Sequence, residues 1–151
     1  MLASAIIIAV SVGLFVYWFR YSCMLILNTK TVQSYAADVA QSRELNFLRV
    51  QQTLTAAETP AFAVLREDLQ RDYEKISSLL SSGVGGRNDE EADGYALERA
   101  MLGMNFRWLN VQYAVASRYS ERIARTALLE MSQIVEHHAN AFGEALAAQR
   151  C

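Results

Sequence analysis

A chain of 151 residues with a formal net charge of −2 has no basic excess for gripping phosphates, so nucleic acid is not expected as a partner. One proline, seven glycines and a hydrophobic share of 52% point to an all-α protein. The length leaves room for one soluble domain of roughly 120 residues beside an apolar segment.

The first element is that segment. Leu2 to Phe19 carries no charge and ends at Arg20. Eighteen such residues at about 1.5 Å of rise approach the thickness of a bilayer's hydrocarbon core, and a helix satisfies its own backbone there. A cleaved signal peptide would show a basic residue ahead of a shorter apolar core and a small-residue cleavage site. No Lys or Arg precedes this run, and Tyr21 to Leu27 stays largely apolar beyond it, so an uncleaved single-pass anchor is expected. Ten Leu, Ile, Val and Phe residues favour insertion by about 0.3–0.6 kcal/mol each, while an Arg at mid-membrane opposes it by about 2.5–3.5. Arg20 therefore belongs at the headgroups. Tyr17, Trp18 and Tyr21 join it as an expected membrane interface, since amphipathic rings favour that depth. Arg20 and Lys30 both follow the span, which by the positive-inside rule puts the short N-terminus outside and the helical domain in the cytoplasm. The opposite sidedness is the alternative. Cys23 and Cys151, at opposite ends, make no disulfide framework, and a buried thiol is the simpler reading of Cys23 than an acylated one.

Residues 1–27 are thus read as a transmembrane anchor with its interfacial segment, and residues 28–151 as a helical bundle with a loop over 83–94. Val32, Tyr35, Ala36, Val39, Phe47, Val50, Leu54 and Ala57 recur at helical spacing, with Arg43 the one break. No Gly or Pro falls between Leu14 and Thr59, so a continuous rod from Leu2 to about Glu58 is expected. Thr59 and Pro60 read as an N-cap and first helical position. The next helix, to about Ser82, carries the apolar stripe Phe62, Leu65, Leu69, Tyr73, Ile76, Leu79 and Leu80; Arg66, Glu67, Asp68, Arg71, Asp72, Glu74 and Lys75 read as its solvated side. It should return antiparallel to the first. Ser81 to Gly94, with four Gly and four acids, reads as a linker without the Lys-Ser or Lys-Thr of a phosphate loop.

From Tyr95 to about Gln149 no proline intervenes. Leu109, Tyr113, Ala116, Ser120, Ala124, Ala127, Met131, Val135, His138, Phe142 and Leu146 approximate an eleven-residue repeat, as in a straight coiled-coil-like rod. One helix of that length overruns the second, leaving Leu128 to Leu146 to be covered by another chain. The alternative is a break near Ser117 to Ser120 and a fold back into a four-helix bundle. Without Gly or Pro at that place, the continuous helix and self-association are favoured.

Candidate chemistry is sparse. Glu130, His137, Asn140 and Glu144 share a side but lack the paired Glu-x-x-His pattern of a di-iron bundle, and adjacent His137 and His138 diverge too far to chelate together. His138 reads as partly buried and His137 as solvated. Arg107, Arg118, Arg122 and Arg125 would emerge on one face of a continuous helix as a possible partner-binding row, against the simpler reading of scattered surface pairs. No catalytic residue, metal ligand, cofactor or small-molecule substrate is inferred. The expected protein is not an enzyme. It is a membrane-anchored structural or accessory subunit whose partners are the lipid bilayer and other membrane subunits or itself, with a membrane-tethered signalling or adaptor module as the alternative and a metal-binding bundle a distant third.

Overall fold

The computed structural model describes residues 1–29, 34–56, 61–83 and 89–149. The chain divides into two units, Met1–Lys30 and Thr31–Cys151. Among the described residues there are six helices and no strand: α1 (Leu2–Asn28), α2 (Ala36–Arg43), α3 (Phe47–Thr55), α4 (Phe62–Gly83), α5 (Asp89–Ala116) and α6 (Glu121–Ala148). This is the all-α bundle with a long apolar N-terminal helix that composition and periodicity predict.

The first unit holds α1. It does not run on as a rod. Thr29 turns extended at φ −67°, ψ 112°, and its Oγ1 and N–H both donate to the Ile26 carbonyl, at 2.5 and 3.2 Å. A local side-chain bond of this kind offers the backbone an alternative to another helical turn.

In the second unit the chain breaks again at Glu44, a non-glycine residue in the left-handed region at φ 53°, ψ 51°. The Leu45 N–H bonds the Ala40 carbonyl at 2.9 Å and the Glu44 N–H bonds the same oxygen, with Leu45 and Ala40 both buried, the pattern of a Schellman-type stop. Glycine normally marks such a site. Here Glu occupies it, which hides the break from the sequence. Arg43, the interruption in the apolar stripe, is the last residue of α2 and places its guanidinium 5.4 Å from the centre of the Phe142 ring.

The helix expected to be continuous from Tyr95 also breaks. Ala116 ends α5, the Tyr119 and Ser120 N–H groups both bond its carbonyl, and Ser120 extends to φ −152°, ψ 108° before α6 begins. The chain therefore folds back, and the stripe from Leu128 to Leu146 packs within its own bundle rather than awaiting another chain. Two serines do the work that Gly or Pro was expected to do, Ser117 through an Oγ bond to the Ala114 carbonyl and Ser120 as the extended residue before α6.

Helix α6 is the axis of the unit. It packs on α2, α3, α4 and α5 and buries twelve residues. Its expected apolar positions Ala124, Ala127, Met131, Val135, His138 and Phe142 are buried, and so are Leu128, Ile134, Ala139 and Gly143 on the flanks. A helix covered on two sides needs that wider stripe. Contacts from Lys75 to Arg43, Asp72 to Asn46 and Asp68 to Arg49 set α4 antiparallel to α3. Arg66–Asn110 and Tyr73–Phe106 set α5 antiparallel to α4, and Asn105–Glu130 and Glu98–His137 set α6 antiparallel to α5. Leu65, Leu69, Ile76 and Leu80 of α4 are buried as predicted. Asp68 and Asp72 are buried too, contrary to their reading as solvated. Helix also occupies 81–83 and 89–94 of the stretch read as linker, with 84–88, Thr59 and Pro60 outside the described residues.

Candidate functional site

On α1, Ile6, Ile7, Ile8, Val10, Val12, Leu14, Phe15 and Val16 are all exposed. It is the one described helix long and apolar enough to cross a bilayer. At its C-terminal half, Tyr17 and Tyr21 sit one turn apart with ring centres 6.4 Å apart, and Trp18 meets Tyr21 edge-on at 6.2 Å. Arg20 lies between them in sequence. The four residues expected at a membrane interface thus fall within two turns of one helix.

The arginine row does not form. Arg107 lies on α5, Arg118 in the turn after it, and Arg122 and Arg125 on α6, so the turn at Ser117–Ser120 removes the shared helical face. The first three are exposed. Arg125 is committed within the chain: its Nη1 donates to the carbonyls of Leu54 at 2.6 Å and Ala56 at 3.3 Å, its Nη2 meets Glu121 at 3.3 Å, and its plane lies over Phe62.

The polar residues that might have formed a reactive cluster are instead joints between helices. Asn140 Oδ1 accepts from the Ala36 N–H at 2.7 Å, at the start of α2. Asp72 Oδ2 accepts from the Asn46 N–H at 2.5 Å, at the start of α3. Neither helix has a capping bond from its own N-cap side chain, so α6 and α4 supply the missing acceptors. Burial raises the Asp72 pKa above the ordinary carboxylate value, against the pull of the Asn46 and Phe47 N–H bonds. Glu130 accepts from Asn105 Nδ2 at 3.2 Å in the core. No group of three His, Cys, Asp or Glu able to hold a metal exists among the described residues.

The histidines separate as their faces require. His138 is 2% exposed, its Nδ1 2.8 Å from the Ile134 carbonyl, which assigns the proton to Nδ1. Nε2 is buried with no hydrogen-bond partner among the described residues. The ring meets Tyr73 edge-on, and Tyr73 stacks on Phe106 at 4.1 Å. Burial, first of all, lowers the His138 pKa to about 4, leaving a neutral imidazole at pH 7. His137 is not solvated as expected: its Nε2 lies 2.5 Å from Glu98 Oε1, and that bond, the largest influence, lowers the Glu98 pKa. Between α4, α5 and α6 a cavity of about 30 Å³ is bordered by Leu80, Tyr95, Arg99, Leu102, His138 and Ala141. This holds a water or two, far less than a substrate needs.

Asp72, Asp68, Glu98 and Asn140 act as joints between helices without any sign in the sequence. Their partners lie 19 to 104 residues away, so local spacing carries no sign of them. No family model, no curated protein and no solved structure matches the chain.

Proposed function

We propose that this chain is a single-pass, membrane-anchored helical subunit that stabilises a larger membrane assembly through helix–helix contacts. The supporting observation is α1: eight large apolar side chains between Ile6 and Val16 stand exposed on all sides of a helix with no charge before Arg20. Apolar surface of that extent is at home in lipid or against other spans. The bundle meanwhile buries its own core and spends Asp72, Glu130, Asn140 and Arg125 on joining helices, which favours a structural over a catalytic role. Arg20 and Lys30 after the span favour a cytoplasmic bundle.

The test is extraction of membranes from cells making the full chain. Retention in the pellet at alkaline pH, lost on introducing Ile8→Lys with Val12→Lys, is the expected result, since two lysines near the centre cost about 5–7 kcal/mol of insertion. A wild-type chain released into the alkaline supernatant overturns the anchor. Epitope tags at each terminus, probed in sealed vesicles, read the sidedness. Mild crosslinking that recovers only monomer overturns the accessory role.

A further inference from the structure

A groove of about 390 Å³ runs between α4 and α5. Small residues open its α5 wall: Ala96, Ala100 and Gly103. A Cβ on Gly103 would lie 2.8 Å from the Tyr73 hydroxyl, so the bare glycine gives that hydroxyl its place. The Tyr73 ring is fixed deeper, stacked on Phe106 at 4.1 Å and edge-on to His138, which leaves the hydroxyl as its polar end at the groove. The Ser77 hydroxyl bonds the same oxygen.

The charged groups of the groove are all cations. Arg99 and Arg107 stand eight residues apart, about 12 Å along the helix, one on each side of Gly103, and steps of four keep all three on one side of α5. Arg49, Arg66 and Arg125 bond Asp68, Asn110 and Glu121, but neither Arg99 nor Arg107 makes a hydrogen bond or ion pair among the described residues. Nor does a described acid line the groove: Glu74, next to Tyr73 in sequence, is bonded by Gln70 at 3.2 Å, and Glu98, next to Arg99, is turned to His137. Burial raises the Tyr73 pKa, and the charges of Arg107 and Arg99 oppose that rise. Both cations therefore act at the place where the hydroxyl stands.

We propose that this groove binds a phosphate group, held between the guanidinium groups of Arg99 and Arg107 with the Tyr73 hydroxyl donating from the side. Guanidinium forks match phosphate oxygens in bidentate geometry, and such charge-assisted bonds are the stronger kind. Donors reach the groove from both ends and from its α4 wall. A tetrahedral oxyanion has acceptors for all three directions, whereas a carboxylate offers two oxygens in one plane. The groove is of the size of a small-ligand pocket, with room for a phosphate and part of what carries it. The formal charge of −2 on the whole chain does not oppose this, because a recess lined by one sign of charge sets its own local potential. A soluble phosphomonoester and the headgroup of an anionic lipid present the same chemistry. The site lies within α4 and α5 alone, so it stands independently of the membrane anchor.

The test is calorimetric titration of the full chain in maltoside micelles at fixed ionic strength. The probes are inorganic phosphate, glycerol phosphate and dihexanoyl phosphatidic acid, with acetate as the control anion. Saturable binding of a phosphate probe, undisturbed by acetate, is the expected result. Arg99→Gln and Arg107→Gln should each weaken it about tenfold, and the double variant should abolish it. Tyr73→Phe keeps the stack on Phe106 and should weaken it several-fold. Helix content and melting without phosphate should stay as in the wild type, since neither guanidinium is bonded within the fold; exposed Arg107 keeps the test open should Arg99→Gln disturb folding. Binding of inorganic phosphate or glycerol phosphate assigns a soluble ligand, and binding of phosphatidic acid alone, lost in the arginine variants, assigns a headgroup. No binding of any probe, equal competition by acetate, or a double variant that binds as well as the wild type overturns the proposal.

Discussion

Arg125 Nη1 lies 2.6 Å from the carbonyl oxygen of Leu54, seventy-one residues earlier in the chain, and 3.3 Å from that of Ala56. At the other end of the same short helix, Asp72 accepts from Asn46. Helix α3 is nine residues long, too short to hold its shape alone. It is held by a cation from α6 at its C-terminal carbonyls and an anion from α4 at its N-terminal N–H groups, the signs that a helix dipole favours. Two helices from distant parts of the sequence thus fix the geometry of a third.

Replacing Arg125 by Met keeps an unbranched apolar side chain and removes the donor together with the guanidinium over Phe62. Unfolding by urea should show a loss of about 1–2 kcal/mol, the scale for a charged hydrogen bond on a partly exposed side chain. Arg125→Lys should recover part of it. A neutral result in Arg125→Met would show that water serves the Leu54 carbonyl as well as the guanidinium does.

Asp72 carries a pH dependence of definite sign. Its pKa is raised in the folded chain by burial, so the folded state holds this proton to higher pH than the unfolded state. The contribution to stability is greatest below the ordinary carboxylate value and falls as pH rises through the raised one. Asp72→Asn keeps an acceptor for the Asn46 N–H and should flatten that fall. Asp72→Leu removes both the acceptor and the titration and should cost about 1–3 kcal/mol at the acid end, the cost shrinking as pH rises. Urea titrations of the three proteins between pH 4 and pH 8 separate these outcomes.

These joints also show what local sequence can carry. The apolar positions of α3, α4 and α6 are legible because burial follows helical period, and Phe47, Val50, Leu54, Leu65, Leu69, Ile76, Met131 and Val135 are all buried where spacing puts them. The breaks at Thr29 and Glu44 are not, because no Gly or Pro marks them, and for the same reason the break near Ser117 to Ser120 stands in the sequence only as the less favoured alternative. Each is made by bonds the residues form in place, and by packing that becomes available only once the chain has turned. Asp72 reads as solvated beside Arg71 and Glu74 because periodicity carries no sign of an N–H from another helix. A continuous helix would give Arg107, Arg118, Arg122 and Arg125 one face; the break near Ser120, the less favoured alternative in the sequence, puts them in three separate places.

His138 should dominate the acid limb of stability. Unfolded, it binds a proton near pH 6.5; folded, only at about pH 4, because burial disfavours the imidazolium and neighbouring His137 and Arg99 add to that. The unfolded state therefore takes up the proton first, and stability present above pH 6.5 is lost as pH falls toward 4, by up to about 3 kcal/mol. Glu98, with a lowered pKa, adds a loss of the same sign below the ordinary Glu value. Asp72 acts against both. His138→Leu should remove most of the slope between pH 6.5 and 4 in thermal melts; a slope that survives it unchanged would assign the limb to another group.

Two glycines should respond oppositely to the same added methyl. A Cβ on Gly143 would collide with the Cβ and ring of Tyr35 and come within 3.3 Å of Val39 Cγ2, where α6 meets the segment leading into α2. Atoms so close to a backbone cannot swing away, so Gly143→Ala must push the helices apart, costing about 1–3 kcal/mol despite the better helix propensity of alanine. A Cβ on Gly103 meets only the Tyr73 hydroxyl, at 2.8 Å, the far end of a side chain that can shift. There the gain of about 1 kcal/mol in helix propensity offsets the displacement, so Gly103→Ala should be near neutral. Thermal melts of the two variants check the contrast. Equal effects would mean that α6 does not approach Tyr35 as closely as the small residue at 143 permits.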